Sequence, residues 1–218
     1  MKKYSIIIGL LVVCVALLAL VNTKAKPRVI ITDYKNAAYK IDGKLVTLVN
    51  GSAEEESAPG SASKTVTQFF GNEAVGDFNG DGRQDVAFIM TQTGGGSGTF
   101  FYVTAALGTA SGYSGTNAIL LGDRVAPQTI EFRNGEIIVN YADRAPKDPM
   151  AVQPSIGVSK YLKIQGANLV QSRAVVGEGM RCGGNMLGAP ICTDGFHCAP
   201  AAGVLLPFGD VGGTCVKN

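Results

Sequence analysis

The sequence predicts a mainly β protein: an antiparallel β sandwich or open barrel, preceded by one N-terminal membrane helix and followed by a small disulfide-rich module. Three observations carry that expectation. Hydrophobic residues make up 46% of the chain but charged residues only 17%, with 29 Gly and no Trp; this composition suits strands joined by tight turns. Short apolar runs rich in Val, Ile, Thr and Tyr alternate with Gly, Asn and Asp turn signals, and no stretch after residue 22 keeps a helical period over three turns. Four of the five cysteines crowd into the last 37 residues, as a disulfide framework does. A length of 218 residues leaves room for one or two domains with a sizeable core.

Residues 1–21 read as a signal anchor or a signal peptide. Lys2 and Lys3 precede Tyr4–Val21, which is 18 residues without a charge, just long enough to span a bilayer as a helix and long for a cleaved leader. Thr23 and Ala25 offer small residues for cleavage, but Lys24 and Lys26 beside them make a poor site. The uncleaved anchor is the preferred reading. Cys14 lies inside the apolar stretch and lacks the small residue expected before a lipidated cysteine. Residues 22–29 form a short basic stem. The formal charge of +2 comes from Lys2 and Lys3; the rest of the chain is neutral and carries no basic stripe, which argues against nucleic acid as a partner.

Residues 30–172 read as one β domain. Ala37–Ile41 and Leu45–Val49 flank Asp42-Gly43-Lys44, a hairpin signal. Asn50–Lys64 is polar and contains Pro59-Gly60, so it reads as a loop, with Glu54-Glu55-Glu56 a solvated charge run. Thr65–Phe70, Val86–Thr91 and Thr99–Leu107 read as strands. Gly94-Gly95-Gly96-Ser97-Gly98 lacks the lysine and helix of a phosphate-binding loop and reads as a hairpin tip. Ala118–Leu121, Thr129–Arg133, Glu136–Tyr141, Lys160–Ile164 and Leu169–Ser172 continue the pattern. Asn134-Gly135 is the strongest hairpin signal in the chain.

The most informative segment is Asp77-Phe78-Asn79-Gly80-Asp81-Gly82-Arg83-Gln84-Asp85. Side-chain oxygens of Asp77, Asn79, Asp81 and Asp85 fall at positions one, three, five and nine. Gly82 permits a sharp turn at six, and Arg83 at seven needs to offer only its backbone carbonyl. Oxygen donors in that alternation suit one hard cation, Ca2+, and clustering the acids without it would cost like-charge repulsion. The same residue types also favour plain turns. Phe88 stands where a helix-loop-helix site would place a bidentate Glu, and the flanks are strand-like. The segment resembles the calcium loops of integrin-type FG-GAP β-propeller repeats. It occurs once, whereas a propeller needs several copies, so only the loop is carried over.

Residues 173–218 form the cysteine module, spaced Cys182-x9-Cys192-x5-Cys198-x16-Cys215. Spacing alone allows three pairings. A zinc site using His197, the only histidine, lacks the close cysteine pairs such sites favour. With Cys182-Gly183-Gly184, Gly195-Phe196-His197-Cys198 and Gly213-Thr214-Cys215, the tail resembles the second half of the N-terminal module of insulin-like growth factor-binding proteins. That resemblance implies Cys182–Cys198 and Cys192–Cys215. The hormone-binding role is not implied, because the first half of that module is missing.

Across residues 75–164, Gly122-Asp123-Arg124-Val125, Asn134-Gly135-Glu136-Ile137-Ile138-Val139, Asp148-Pro149-Met150 and Lys160-Tyr161-Leu162 occur in an order that resembles the mycobacterial LppP/LprE-type lipoproteins. The resemblance implies a bacterial envelope address and a β fold, without a defined activity. The pairs Asp123/Arg124 and Asp143/Arg144 read as surface ion pairs. Tyr102, Tyr113, Phe132 and Tyr141 could line a sugar-binding face, but on β strands core packing or ordinary surface is the preferred reading. The expectation is a single-pass membrane protein with its bulk outside the cytoplasm, secreted if the leader is cut. It would act as a non-enzymatic binding or envelope-structural protein, stabilised by Ca2+, with an unknown envelope or extracellular ligand. Two alternatives stand beside it. One is an envelope hydrolase, for which Ser97, Asp123 and Asp143 are isolated candidates without a GxSxG, HExxH or Cys–His pattern. The other is an inhibitor or receptor-binding protein acting through the cysteine module.

Overall fold

The computed structural model describes residues 33–145, 147–183, 189–193, 195–200 and 212–217. The expected membrane helix and stem lie outside them. Among the described residues no helix is long and apolar enough to cross a membrane. The chain divides into two units, 1–30 and 31–218; the second is described below. It is mainly β, with a disulfide-rich C-terminal region.

Strands are numbered in chain order. A 3-10 turn at Tyr34–Asn36 precedes a hairpin of β1 (Ala38–Ile41) and β2 (Lys44–Thr47). The first large sheet holds β3 (Ser52–Glu56), β4 (Lys64–Gly76), β5 (Asp85–Thr93), β6 (Thr99–Thr109), β7 (Gly112–Gly115) and β8 (Ile119–Asp123), in the order β3-β4-β5-β6-β7 with β8 also paired to β6. The second holds β9 (Ala126–Arg133), β10 (Glu136–Asp143), β11 (Ile156–Gln165) and β12 (Asn168–Gln171), in the order β12-β11-β10-β9. Every pairing in these sheets is antiparallel. The cysteine module adds β13 (Val175–Val176) parallel to β15 (Ile191–Cys192). It also adds an antiparallel sheet of β14 (Arg181–Gly183), β17 (Gly212–Lys217) and β16 (Phe196–Pro200), in the order β14-β17-β16.

The central strands read as continuous apolar runs because both of their faces are covered. Side chains alternate across a strand. On β5, Ala87 and Ile89 enter one core cluster while Val86, Phe88 and Met90 enter another. The first cluster lies between the two large sheets, where Val103 and Ala105 meet Ile137, Val139, Tyr141 and Leu162. The second lies between β5–β6 and the β1–β2 hairpin, which contributes Tyr39, Ile41 and Val46. Phe88 is fully buried there, with the rings of Tyr34, Tyr39 and Phe69 at 5.3–5.6 Å. The N-terminal hairpin is thus a third layer.

Two sequence expectations are corrected. Asn50–Lys64 is not one loop: Asn50 (φ 51°) and Gly51 (φ 81°) make a tight turn, and Ser52–Glu56 is β3, paired residue for residue with β4. Its glutamates do not form a free charge run. They sit on an edge strand, where Glu54 pairs with Lys64 at 2.6 Å and Glu55 with Lys44 at 2.7 Å, and charge on an edge discourages further strand addition. Thr65–Phe70 is too short a strand. β4 runs on to Gly76 through register shifts between Phe69 and Ala74, where Gly71 and Asn72 take positive φ. A β-bulge, not a strand end, absorbs that glycine. Strand β7 and the strands of the module were not expected.

Candidate functional site

The acidic segment closes the β4–β5 hairpin, whose last paired residues are Gly76 and Asp85. Residues 77–84 fold back around the Asp77 carboxylate. Its Oδ1 accepts the N–H groups of Gly80 (2.8 Å) and Asp81 (3.0 Å), and its Oδ2 accepts that of Gly82 (2.9 Å). Gly82, at φ 79°, supplies the left-handed turn that brings its N–H inward. Asn79 Oδ1 accepts the Asp81 N–H at 3.0 Å. Asp81 accepts the Arg83 N–H on Oδ1 (2.9 Å) and the Arg83 guanidinium on Oδ2 (3.1 Å). The Arg83 N–H holds the Asp81 carboxyl below the usual carboxylate range.

Asp85 lies apart from this exposed turn. It is fully buried, and its oxygens accept the N–H groups of Phe78 and Gly108, each at 2.8 Å. Burial pushes this carboxyl up, the two N–H groups pull it back, and the charges of Asp81 and Asp77 push it further; the balance is upward. Gly108 is required on β6, because a Cβ there would come within 2.5 Å of the Gln84 carbonyl. Phe78, inside the acidic segment, turns inward against Phe132 of the facing sheet at 4.8 Å. Sequence reasoning missed both anchors. An aromatic residue set between acids was a signal for Phe78; nothing near Gly108 announced its role.

In kind these donors fit Ca2+: all are hard oxygens, and Asp77, Asn79, Asp81, the Arg83 carbonyl and Asp85 would hold it. Their positions are less complete. Among the described residues, the one group of three or more Cys, His, Asp or Glu whose ligand atoms lie within 4.8 Å of one another is Cys182, Cys192 and Cys198. The carboxylates of Asp77, Asp81 and Asp85 are therefore not gathered to a single point. A bound cation would supply positive charge that favours the ionised form of Asp85.

The clustered sulfurs belong to two touching disulfides, Cys182–Cys198 and Cys192–Cys215, with Cα separations of 5.8 and 5.5 Å. Disulfide sulfurs are not free thiolates for a metal. The β domain is joined to the module through a clasp that the sequence did not announce. Arg173 donates to Glu136 through Nη2 (2.7 Å) and Nε (3.2 Å), and its guanidinium stacks 3.5 Å over the Tyr161 ring. Ser172 Oγ also donates to Glu136. Burial raises the Glu136 carboxyl, but the Arg173 and Ser172 hydrogen bonds and the Arg173 charge outweigh it and leave it below the usual range.

Where the module meets the second sheet there is a cleft of about 440 Å³. Tyr141, Asp143, Val158 and Lys160 line one side; Ile191, Phe196 and His197 line the other. The aromatic residues pack as core rather than line a sugar-binding face: Tyr102 and Tyr141 are buried in different cores, and Phe132 packs on Phe78. Nor do Asp123 and Asp143 act as a pair. Asp123 accepts the Thr99 N–H (2.8 Å) and both Arg124 donors, whereas Asp143 accepts the Arg144 N–H (2.7 Å). Arg144 does not ion-pair with Asp143 but donates to the carbonyls of Val152, Asp123 and Arg124. No family model matches the chain, and neither does any curated protein or solved structure.

Proposed function

We propose that the protein is a membrane-anchored, extracytoplasmic binding or envelope-structural protein whose two-sheet β domain is stabilised by Ca2+ at residues 77–85. The observation that supports this reading is Asp85. A carboxylate with no solvent exposure, its proton affinity raised by burial and by Asp77 and Asp81, closes a loop built of oxygen donors, and a divalent cation relieves that electrostatic cost. The two disulfides suit an oxidising compartment, and the apolar Tyr4–Val21 suits an anchor that places the domain there.

Thermal unfolding of the full chain tests the reading. Saturating Ca2+ raises the melting temperature over a chelator control, because a ligand that binds only the folded state stabilises it by mass action. Asp81→Ala abolishes the increment. A wild-type melting temperature that is the same with Ca2+ and with chelator would count against it.

A further inference from the structure

We propose that the cleft between the second sheet and the cysteine module binds a short extended peptide with both termini free. This rests on the non-enzymatic binding reading and names the chemistry of its ligand. The cleft's volume of about 440 Å³ falls in the range of small-molecule sites, which favour barrel mouths and junctions between units.

The charge pattern on its sheet wall sets the ligand class. Tyr141 and Val158 are directly opposed on β10 and β11, so they share one face. The same face carries Asp143 two residues along β10 in one direction. In the other direction it carries Lys160, opposite Val139. Both ions line the cleft. Four residues of strand separate the two levels, about 13 Å, too far for the ions to pair with each other. Among the described residues Lys160 has no ion pair. Among the described residues Asp143 accepts the Arg144 N–H alone, and the Arg144 guanidinium donates to carbonyls.

An anion and a cation whose strand levels lie about 13 Å apart, with the apolar Val158 on the floor between them, complement a zwitterion of about that length. An extended peptide of about four residues spans it, its ammonium at Asp143 and its carboxylate at Lys160. Its side chains would rest between Val158 and Phe196. A fatty acid would satisfy Lys160 alone and place hydrocarbon against Asp143. A neutral sugar would leave both ions without a counter-charge.

Titration calorimetry of the full chain with Ala-Leu-Leu-Ala tests this. The free-ended peptide binds, and its N-acetylated and C-amidated forms each bind at least tenfold more weakly. Asp143→Asn weakens the free peptide tenfold and leaves the N-acetylated one unchanged; Lys160→Met does the same with respect to the C-amidated one. The capped-peptide comparison uses the unaltered protein, so it holds even where a variant misfolds. Equal binding of free and capped peptides, binding of N,N′-diacetylchitobiose in place of peptide, or no binding of any peptide would overturn the proposal. Mass spectrometry of the titrated mixture separates this from the parent reading: an intact peptide leaves that reading standing, whereas cleavage would overturn it.

Discussion

Asp85 accepts two backbone hydrogen bonds and has no contact with solvent, so its charge is governed by what surrounds it. Its folded pKa is raised above the 3.8 of an ordinary carboxyl. The folded state therefore holds that proton more tightly than the unfolded chain, and stability falls as pH rises from about 4 through the raised value. A cation that stabilises the ionised form opposes this. Melting temperatures across that window should therefore decline more steeply with rising pH in chelator than in Ca2+. Glu136 has the opposite sign. Its folded pKa lies below 4.5, so its contribution is present above that value and is lost as pH falls through the folded pKa. Glu136→Gln leaves the Arg173 guanidinium without its counter-charge in a site where the two side chains are only 8% and 16% exposed. Denaturant unfolding near neutral pH should show a loss of about 3 kcal/mol, and a smaller loss in acid. The alternating donors of the loop were legible in the sequence because their spacing is local. The burial of Asp85 was not, because it depends on Gly108, which lies 23 residues away on β6.

Strand β5 is the element on which the layers converge, and its alternation between two cores makes it intolerant of truncation. Phe88 is fully exchanged from water to ring contacts with three aromatic neighbours. Phe88→Ala should cost about 4 kcal/mol in denaturant unfolding through the cavity it leaves. Strands flanked by turn signals and rich in β-branched residues were legible: Glu136–Asp143 and Thr99–Thr109 extend the expected segments by only two residues. Strand β3 was hidden because its outward charges read as a solvated loop, although Asn50-Gly51 already marked a turn. β4 was cut short because a bulge and a terminus look alike in sequence. In the module, Asp194 and Asp210 allow one alternative pairing to be tested without reduction. Cleavage before those aspartates should leave three peptides joined together, carrying Cys182 with Cys192, Cys198, and Cys215. A Cys182–Cys192 and Cys198–Cys215 pairing would instead separate the first peptide from the other two, and non-reducing mass spectrometry distinguishes them.

At the scale of the whole molecule, both core clusters are built from residues 37–169, without the cysteine module. Among the described residues of the module only Cys182, Ala189 and Cys215 are buried, and two bridges brace it, each contributing roughly 2–4 kcal/mol. A chain ending at residue 175, just past the Glu136–Arg173 clasp, should keep the β circular-dichroism signature and a cooperative melt. It should also lose the peptide binding that needs Phe196. The mainly β class was legible because composition and turn spacing report on the whole chain. The three-layer arrangement was not, because nothing local says which face of β5 the N-terminal hairpin covers. Calorimetric titration of the full chain with Ca2+ tests the central claim most directly. It should give one ion bound per chain in the wild type and none in Asp77→Ala; no saturable Ca2+ binding by the wild type would contradict the claim.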